Sequence, residues 1–186
     1  MQDDAELMHL TASGDESAFR TLVERYQGEI YNFFLRTADS EDDAADLTQR
    51  LFIKLFRSAR GYRKSSSFRT FIFSIARNLL IDHYRQKNRA DVVSIDEISD
   101  GGGEFEHGLH DDGPMEMIEA LELNEAFVKA VRTLPDEWRI AMELRVGRQM
   151  SYKEIASVMG RSVSSVETII FRARERLAEE LKRFRE

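Results

Sequence analysis

Ser151-Tyr152-Lys153-Glu154-Ile155-Ala156-Ser157-Val158-Met159-Gly160-Arg161-Ser162-Val163-Ser164-Ser165-Val166 reads as two helices broken by one tight turn. Ile155, Ala156 and Met159 fall on one face of the first helix, Gly160 permits the turn, and Ser162 caps the second. At about 100° per residue the second helix, running from Ser162 to the end of the chain, divides cleanly. Val166, Ile170, Ala173 and Leu177 take one side, and Ser164, Glu167, Thr168, Phe171 and Arg172 the other. That is the spacing of a helix-turn-helix whose second helix lays a polar face against base edges and phosphates. A plain three-helix bundle with a solvated face has the same spacing. An apolar Phe171 among Ser, Thr and Arg argues against it.

Working outward, helices fill the rest of the chain. With 2 prolines and 10 glycines in 186 residues, three of them together at Gly101-Gly102-Gly103, long stretches carry no breaker. Asp3 to Ala12 forms a short helix stopped by Gly14. Asp15 caps the next, whose stripe is Phe19, Leu22, Val23, Tyr26, Ile30, Phe33 and Phe34. Ser40 and Asp43 open a third in the manner of a capping box, with Leu47, Leu51, Phe52, Leu55, Phe56 and Ala59 inward. A polar loop, Gly61 to Ser67, leads to a fourth from Phe68 to about Gln86, with Phe71, Ile72, Ile75, Leu79 and Leu80 inward. After a segment rich in Asp, Glu and Gly, helices resume at Met115–Leu134, ended by Pro135, and at Asp136 to about Val146. The expectation is an all-α fold: two small helical domains, 1–88 and 115–186, joined by an acidic flexible linker, 89–114.

The net charge of −7 disfavours nucleic acid until it is mapped. Arg57, Arg60, Arg63, Lys64, Arg69, Arg77, Arg85, Lys87 and Arg89 face a single acid, Asp82, in their segment. From Asp91 to Val128 there is no Lys or Arg, and beyond Gly160 arginines return in number. Two basic segments flanking an acidic one say more about partners than the total does. In the first basic segment Tyr62, Phe68, Phe71, Phe73 and Tyr84 interleave with the cations. Rings stack on unpaired bases and cations follow the strand, although core rings among solvated arginines give the same composition. The absence of cysteine excludes a disulfide scaffold, a thiolate zinc finger and a cysteine nucleophile. No apolar run reaches the ~18 residues of a membrane span, and Met1-Gln2-Asp3-Asp4 is the opposite of a signal peptide, so a soluble cytoplasmic protein is expected. Glu104, Glu106, His107, His110, Asp111 and Asp112 have no spacing that fixes a metal geometry, and no motif asks for a cofactor or a catalytic residue.

Two runs in the first half, Asp46-Leu47-Thr48-Gln49-Arg50-Leu51-Phe52 and Ser66-Ser67-Phe68 through Asp82, carry a resemblance. They resemble the promoter-melting region of extracytoplasmic-function (group IV) sigma factors of the sigma-70 family. Leu134-Pro135, Ser151 to Ala156, and Phe171-Arg172-Ala173-Arg174-Glu175-Arg176-Leu177 resemble the −35-reading region of the same family. The resemblance implies a non-enzymatic protein that gives core RNA polymerase its promoter specificity. Residues 1–88 would bind the polymerase and capture the −10 element, and 115–186 would read −35 DNA.

Carried residue by residue, Asp46, Gln49, Phe52 and Ile53 would dock on the β′ clamp helices, while the C-terminal domain would meet the β flap. Arg50 departs from the acid usual there. Arg63, Lys64, Ser65, Ser66, Ser67 and Phe68 would hold a flipped −10 base, with Arg77, Asn78 and Asp82 near the melted strand. Arg161, Ser164, Ser165, Glu167, Thr168, Phe171, Arg172 and Arg174 would contact −35 DNA. Many relatives carry bases where this chain has Glu167 and Ile169. A carboxylate repels phosphate but accepts from cytosine N4, which implies a different −35 preference. An anti-sigma factor is the expected regulator. The acidic linker would thread toward the RNA path as a polyanion, or serve only as a solvated tether. The rival readings are a one-component regulator, which binds an operator tightly by itself, and a metal-dependent helical enzyme built on the His107/His110 region.

Overall fold

The computed structural model describes residues 3–63, 67–91 and 130–183. Every regular element among them is helical. Most of the expected Met115–Leu134 helix, the acidic segment with its Glu104–Asp112 cluster, and Lys64, Ser65 and Ser66 lie outside the described residues.

The N-terminal half is four helices: α1 (Asp4–Ala12), α2 (Glu16–Thr37), α3 (Glu41–Ser58) and, after a 3-10 turn at Ala59–Gly61, α4 (Phe68–Asp91). The starts of α2, α3 and α4 are set by side chains that satisfy free amides. Asp15 accepts from the amides of Ser17 and Ala18, and the Ser17 hydroxyl, ahead of those amides, holds its carboxyl below its ordinary value. Ser40 accepts from the Asp43 amide at 3.1 Å, and Ser67 from that of Thr70 at 3.1 Å. Leu22, Ile30, Phe33, Phe34, Leu47, Leu51, Leu55, Ile72, Phe73 and Leu80 close the core between α2, α3 and α4. Phe33 meets Phe34 and Phe73 edge-on at 5.5 and 5.4 Å, the arrangement ring quadrupoles favour.

One inward expectation does not hold. Phe56 is 49% exposed and meets half-buried Phe19 edge-on, while Phe19, Phe52 and Phe71 are half-buried and packed against the core. Ala44, Leu47, Leu51 and Leu55 already fill the share of α3 in the core, so the last ring of its stripe is left at the rim. α4 also runs on beyond Gln86, to Asp91.

The C-terminal half is built from α5 (Asp136–Met142), α6 (Tyr152–Met159) and α7 (Val163–Arg183), preceded by the helical turn 130–132. The helix expected to reach Val146 ends at Met142 and passes into a π-helical turn, Glu143–Gly147. The wider turn has a cause in the side chains. Its 2.9 Å bond from the Arg148 amide to the Glu143 carbonyl stacks residues five apart. The Glu143 carboxylate then accepts from Arg148 Nε and Nη2 at 3.0 and 2.8 Å. A side chain at Gly147 would occupy the space of that carboxylate. Burial nonetheless leaves the Glu143 carboxyl above its ordinary value, with Arg148 and Arg36 opposing.

α6 opens with a full capping box: the Glu154 amide donates to Ser151 Oγ, and the Ser151 amide to the Glu154 carboxylate at 2.8 Å. It closes on Gly160 at φ 62°, the left-handed residue the turn requires. Ser162 accepts from the Ser165 amide at 3.2 Å and starts α7. Ile155, Ala156, Met159, Val166, Ile170, Ala173 and Leu177 are buried as the periodicity requires.

Ser151→Ala should lower stability by about 1 kcal/mol, the usual cost of losing a cap. Exposed Ser157→Ala should stay within ~0.5 kcal/mol. The Ser151 hydrogen bonds hold the Glu154 carboxyl below its ordinary 4.5. Their contribution is therefore full above that pH and is lost as pH falls through the lowered value. Thermal unfolding of the two variants at pH 7 and pH 4 measures both effects, and the gap between wild type and Ser151→Ala should shrink in acid.

Candidate nucleic-acid interface

The buried face of α7 fixes what its other face can do. With Val166, Ile170, Ala173 and Leu177 turned inward, Ser164, Glu167, Thr168, Phe171, Arg172 and Arg174 are exposed, and Ser165 is half-buried beside them. Phe171 is 62% exposed, the most open large apolar side chain among the described residues. Thr168 returns its hydroxyl to the Ser164 carbonyl at 2.9 Å, leaving an oxygen lone pair outward. Arg161, in the turn, is exposed but ion-paired with Glu137 at the start of α5. A helix of this kind offers donors, one acceptor carboxylate and an apolar ring, which together match the donor, acceptor and methyl groups of a major groove.

The residues expected at melted DNA divide into three environments. Asn78 and Asp82 are exposed one turn apart on α4, and half-buried Phe71 together with exposed Arg85 falls on the same stripe. Arg63 and Ser67 are exposed at the edges of the loop, with Ser67 capping α4. Phe68 is core: it lies 5.1 Å from Tyr26 and 6.1 Å from Tyr62, so its ring offers no free face for a base. Arg77 points away from the Asn78–Asp82 stripe toward α5, although its Nη1 donates to Asn78 Oδ1 at 3.1 Å. Phe71 packs against the core as its stripe requires and also borders the Asn78–Asp82 line, seven residues before Asn78.

On α3, Asp46 and Gln49 are exposed, and Asp46 pairs with Arg50 at 3.3 Å. Phe52 is half-buried, Ile53 is 46% exposed, and Phe56 extends the same apolar strip. A strip of three adjacent apolar side chains on a helix otherwise rich in acids has a chemistry that suits protein better than a phosphate backbone.

The two halves are in contact. α4 packs along α6 and, less extensively, α5, while α2 meets the π turn. Arg139 and Arg148 cross between them. Arg139 lies over the Tyr84 ring, 5.2 Å from its centroid, and donates to the Thr37 carbonyl at 3.3 Å, with Asp39 at 3.6 Å and Asp136 at 3.1 Å. Tyr84 donates to the same carbonyl, and burial pushes its phenol well above the ordinary range. Arg148 donates from Nη1 to the Glu29 carbonyl at 3.2 Å. Arg69 of α4 returns the contact, bonding to Glu29 and, at 2.8 Å, to the Arg148 carbonyl. Nothing local in the sequence marks Arg139 or Arg148, because their partners are 102 and 119 positions away.

Among the described residues no group of three or more His, Asp or Glu is placed to hold a metal, and no helix is long and apolar enough to cross a membrane.

The comparisons agree with this geometry. Residues 22–90 match the family model of Sigma-70 region 2, and residues 124–177 match Sigma-70, region 4. The chain is 32% identical to the RNA polymerase sigma-H factor of Pseudomonas aeruginosa, over 97% of this chain and 95% of that protein. It is 33% identical to the ECF RNA polymerase sigma-E factor of Escherichia coli, over 92% and 91%. Two solved structures share the fold. The sigma factor RpoE, bound to the anti-sigma factor NepR from Bartonella quintana, has a TM-score of 0.71 at 23% identity, covering 88% of this chain and 96% of that one. CnrH, bound to the cytosolic domain of CnrY, has a TM-score of 0.68 at 24% identity, covering 96% and 97%. Two family models in order, an all-helical fold and relatives matched over nearly their whole length lead to one conclusion: the chain belongs to the extracytoplasmic-function sigma factors of the sigma-70 family, which work with RNA polymerase in promoter-specific initiation of transcription.

Proposed function

We propose that this sigma factor reads its promoters with two separate surfaces and performs no chemistry of its own. The exposed face of α7, from Ser164 to Arg174 with Arg161 beside it, reads −35 DNA as duplex. The Arg63–Ser67 loop and the Phe71–Asn78–Asp82 stripe of α4 hold −10 bases once the strands part. Residues 1–88 carry polymerase binding and −10 capture, 115–186 carry −35 reading, and 89–114 join them. Asp46, Gln49, Phe52 and Ile53, extended by Phe56, dock on the β′ clamp helices, and the C-terminal half meets the β flap. Its place of work is that of RNA polymerase, the cytoplasm. An anti-sigma factor is the expected regulatory partner, as in the two solved complexes.

The observation that carries this reading is the split of α7, with four apolar side chains buried and Ser164, Glu167, Thr168, Phe171 and Arg172 all exposed. Run-off transcription with purified core polymerase, with and without the chain, tests it. Promoter-specific product should depend on the chain. Sub-micromolar, sequence-specific binding by the free chain at physiological salt would favour a one-component regulator instead.

Three variants separate the surfaces. Ile53→Glu with Phe56→Ser should weaken core polymerase binding about tenfold or more, as loss of an apolar anchor does, with the fold unchanged by circular dichroism. Glu167→Arg should change one or two positions of a −35 library selected with polymerase, because one good base contact is worth about 1–3 kcal/mol. Asn78→Ala should leave polymerase and −35 binding intact but block opening, since a base-capture contact acts only after the base leaves the stack, at a cost of roughly a few kcal/mol. Permanganate footprinting should show the block on paired DNA, and transcription should recover on a template already mismatched at −10.

A further inference from the structure

Phosphate neutralisation dominates the affinity of a protein for DNA, and a recognition helix meets base edges with its N-terminal residues. The leading end of α7 carries little for that work. Its first cation is Arg172, nine residues or about 14 Å beyond Val163, and the one charged residue between them is Glu167. Arg161 stands just ahead of the helix and supplies a positive charge where the helix itself has none.

Arg161 is held at both ends. Its amide donates to the Ala156 carbonyl at 3.0 Å across the Gly160 turn, and Ser162 beside it starts α7. At the tip of the side chain, Nη2 donates to the Glu137 carboxylate in the first turn of α5. α5 packs along α7 with Ile140 and Ala141 buried, so this carboxylate has a fixed place relative to the helix beside it. Its other oxygen faces Arg77 of α4 at 3.7 Å, across the seam between the two halves.

The pairing leaves the Arg161 side chain 39% exposed. An ion pair in water gains little from its Coulomb attraction, so the effect of Glu137 on Arg161 is mainly one of direction. Immobilising a long side chain at an interface costs binding free energy, and an arginine already immobilised is spared most of that cost.

We propose that Arg161 is the cation with which the leading end of α7 contacts the −35 backbone, and that Glu137 is its positioning residue, holding the guanidinium where a phosphate is met. The proposal rests on the α7 face being the −35 reader. It gives a carboxylate a role in binding DNA that its charge alone would oppose.

Equilibrium binding of the holoenzyme, full chain with core polymerase, to a duplex with an intact −35 element and a scrambled −10 tests this at several salt concentrations. Arg161→Ala should weaken binding about threefold to tenfold and make the slope of log K against log salt shallower by about 0.9, the share of one phosphate. Glu137→Ala should weaken binding about twofold to tenfold, the cost of ordering one long side chain, although it removes a negative charge. In the Arg161→Ala background the same substitution should change nothing. Glu137→Gln takes its place, with the same expected sign, if circular dichroism shows that Glu137→Ala loses helix.

Unchanged or tighter binding by the folded Glu137 variant overturns the positioning role, because the carboxylate is then idle or merely repels DNA. A loss that persists in the Arg161→Ala background overturns it too, since it then runs through Arg77 or through the fold. Arg172→Ala separates the proposal from the reading beneath it. If Arg172→Ala weakens binding and Arg161→Ala does not, α7 reads −35 without Arg161 and the proposal falls alone. If neither weakens binding, the α7 reading falls and takes the proposal with it.

Discussion

A guanidinium taken out of water must find oxygens for its donors, and two of them set the arrangement of this protein. Arg139 and Arg148 are both buried, and each takes a main-chain carbonyl of α2, at Thr37 and Glu29, as one of its partners. Main-chain carbonyls of a packed helix do not move independently, so these contacts fix position as well as charge. The π turn exists in the same frame. By placing Glu143 beneath Arg148 it supplies the counter-charge that a buried cation needs, and Arg36 of α2 reaches that carboxylate at 3.7 Å from the other side.

The charge blocks visible along the chain acquire a different meaning in three dimensions. The basic segment 57–89 is not a uniform cationic strip. Arg69 is tied to Glu29, Arg77 to Glu137, and Lys87 to Asp39 at 2.9 Å, where Lys87, Arg139 and His83 outweigh burial and hold the Asp39 carboxyl below its ordinary value. Arg172 and Arg174 of α7 are exposed. The cations available to phosphate are thus fewer than the composition suggests: Arg57, Arg60, Arg63 and Arg85 are exposed in that segment, beside Arg172 and Arg174 on α7.

Local features were legible because local forces produce them. Asp15, Ser40 and Ser162 cap the helices they are expected to cap, and the faces of α6 and α7 follow from a 3.6-residue period. The rim residues were less legible. A stripe shows which rings face roughly inward but not how wide the core is, and so Phe56, on the stripe, lies outside it while Phe52 and Phe71 stop half-buried at its edge. Phe68 shows the opposite ambiguity: an aromatic at the start of a basic helix has the same spacing whether it stacks on a base or on Tyr26 and Tyr62. The seam was not legible at all. Arg139, Arg148 and Glu137 belong to no motif, and which half they would touch is decided by tertiary packing over more than a hundred residues of separation.

The strip formed by Phe52, Ile53 and Phe56 lies outside the contact between the halves, and so does the polar face of α7 with Arg172 and Arg174. The seam is therefore made at the expense of neither surface: a partner made of protein and a partner made of DNA would each meet the joined chain without competing for the residues that hold its halves together.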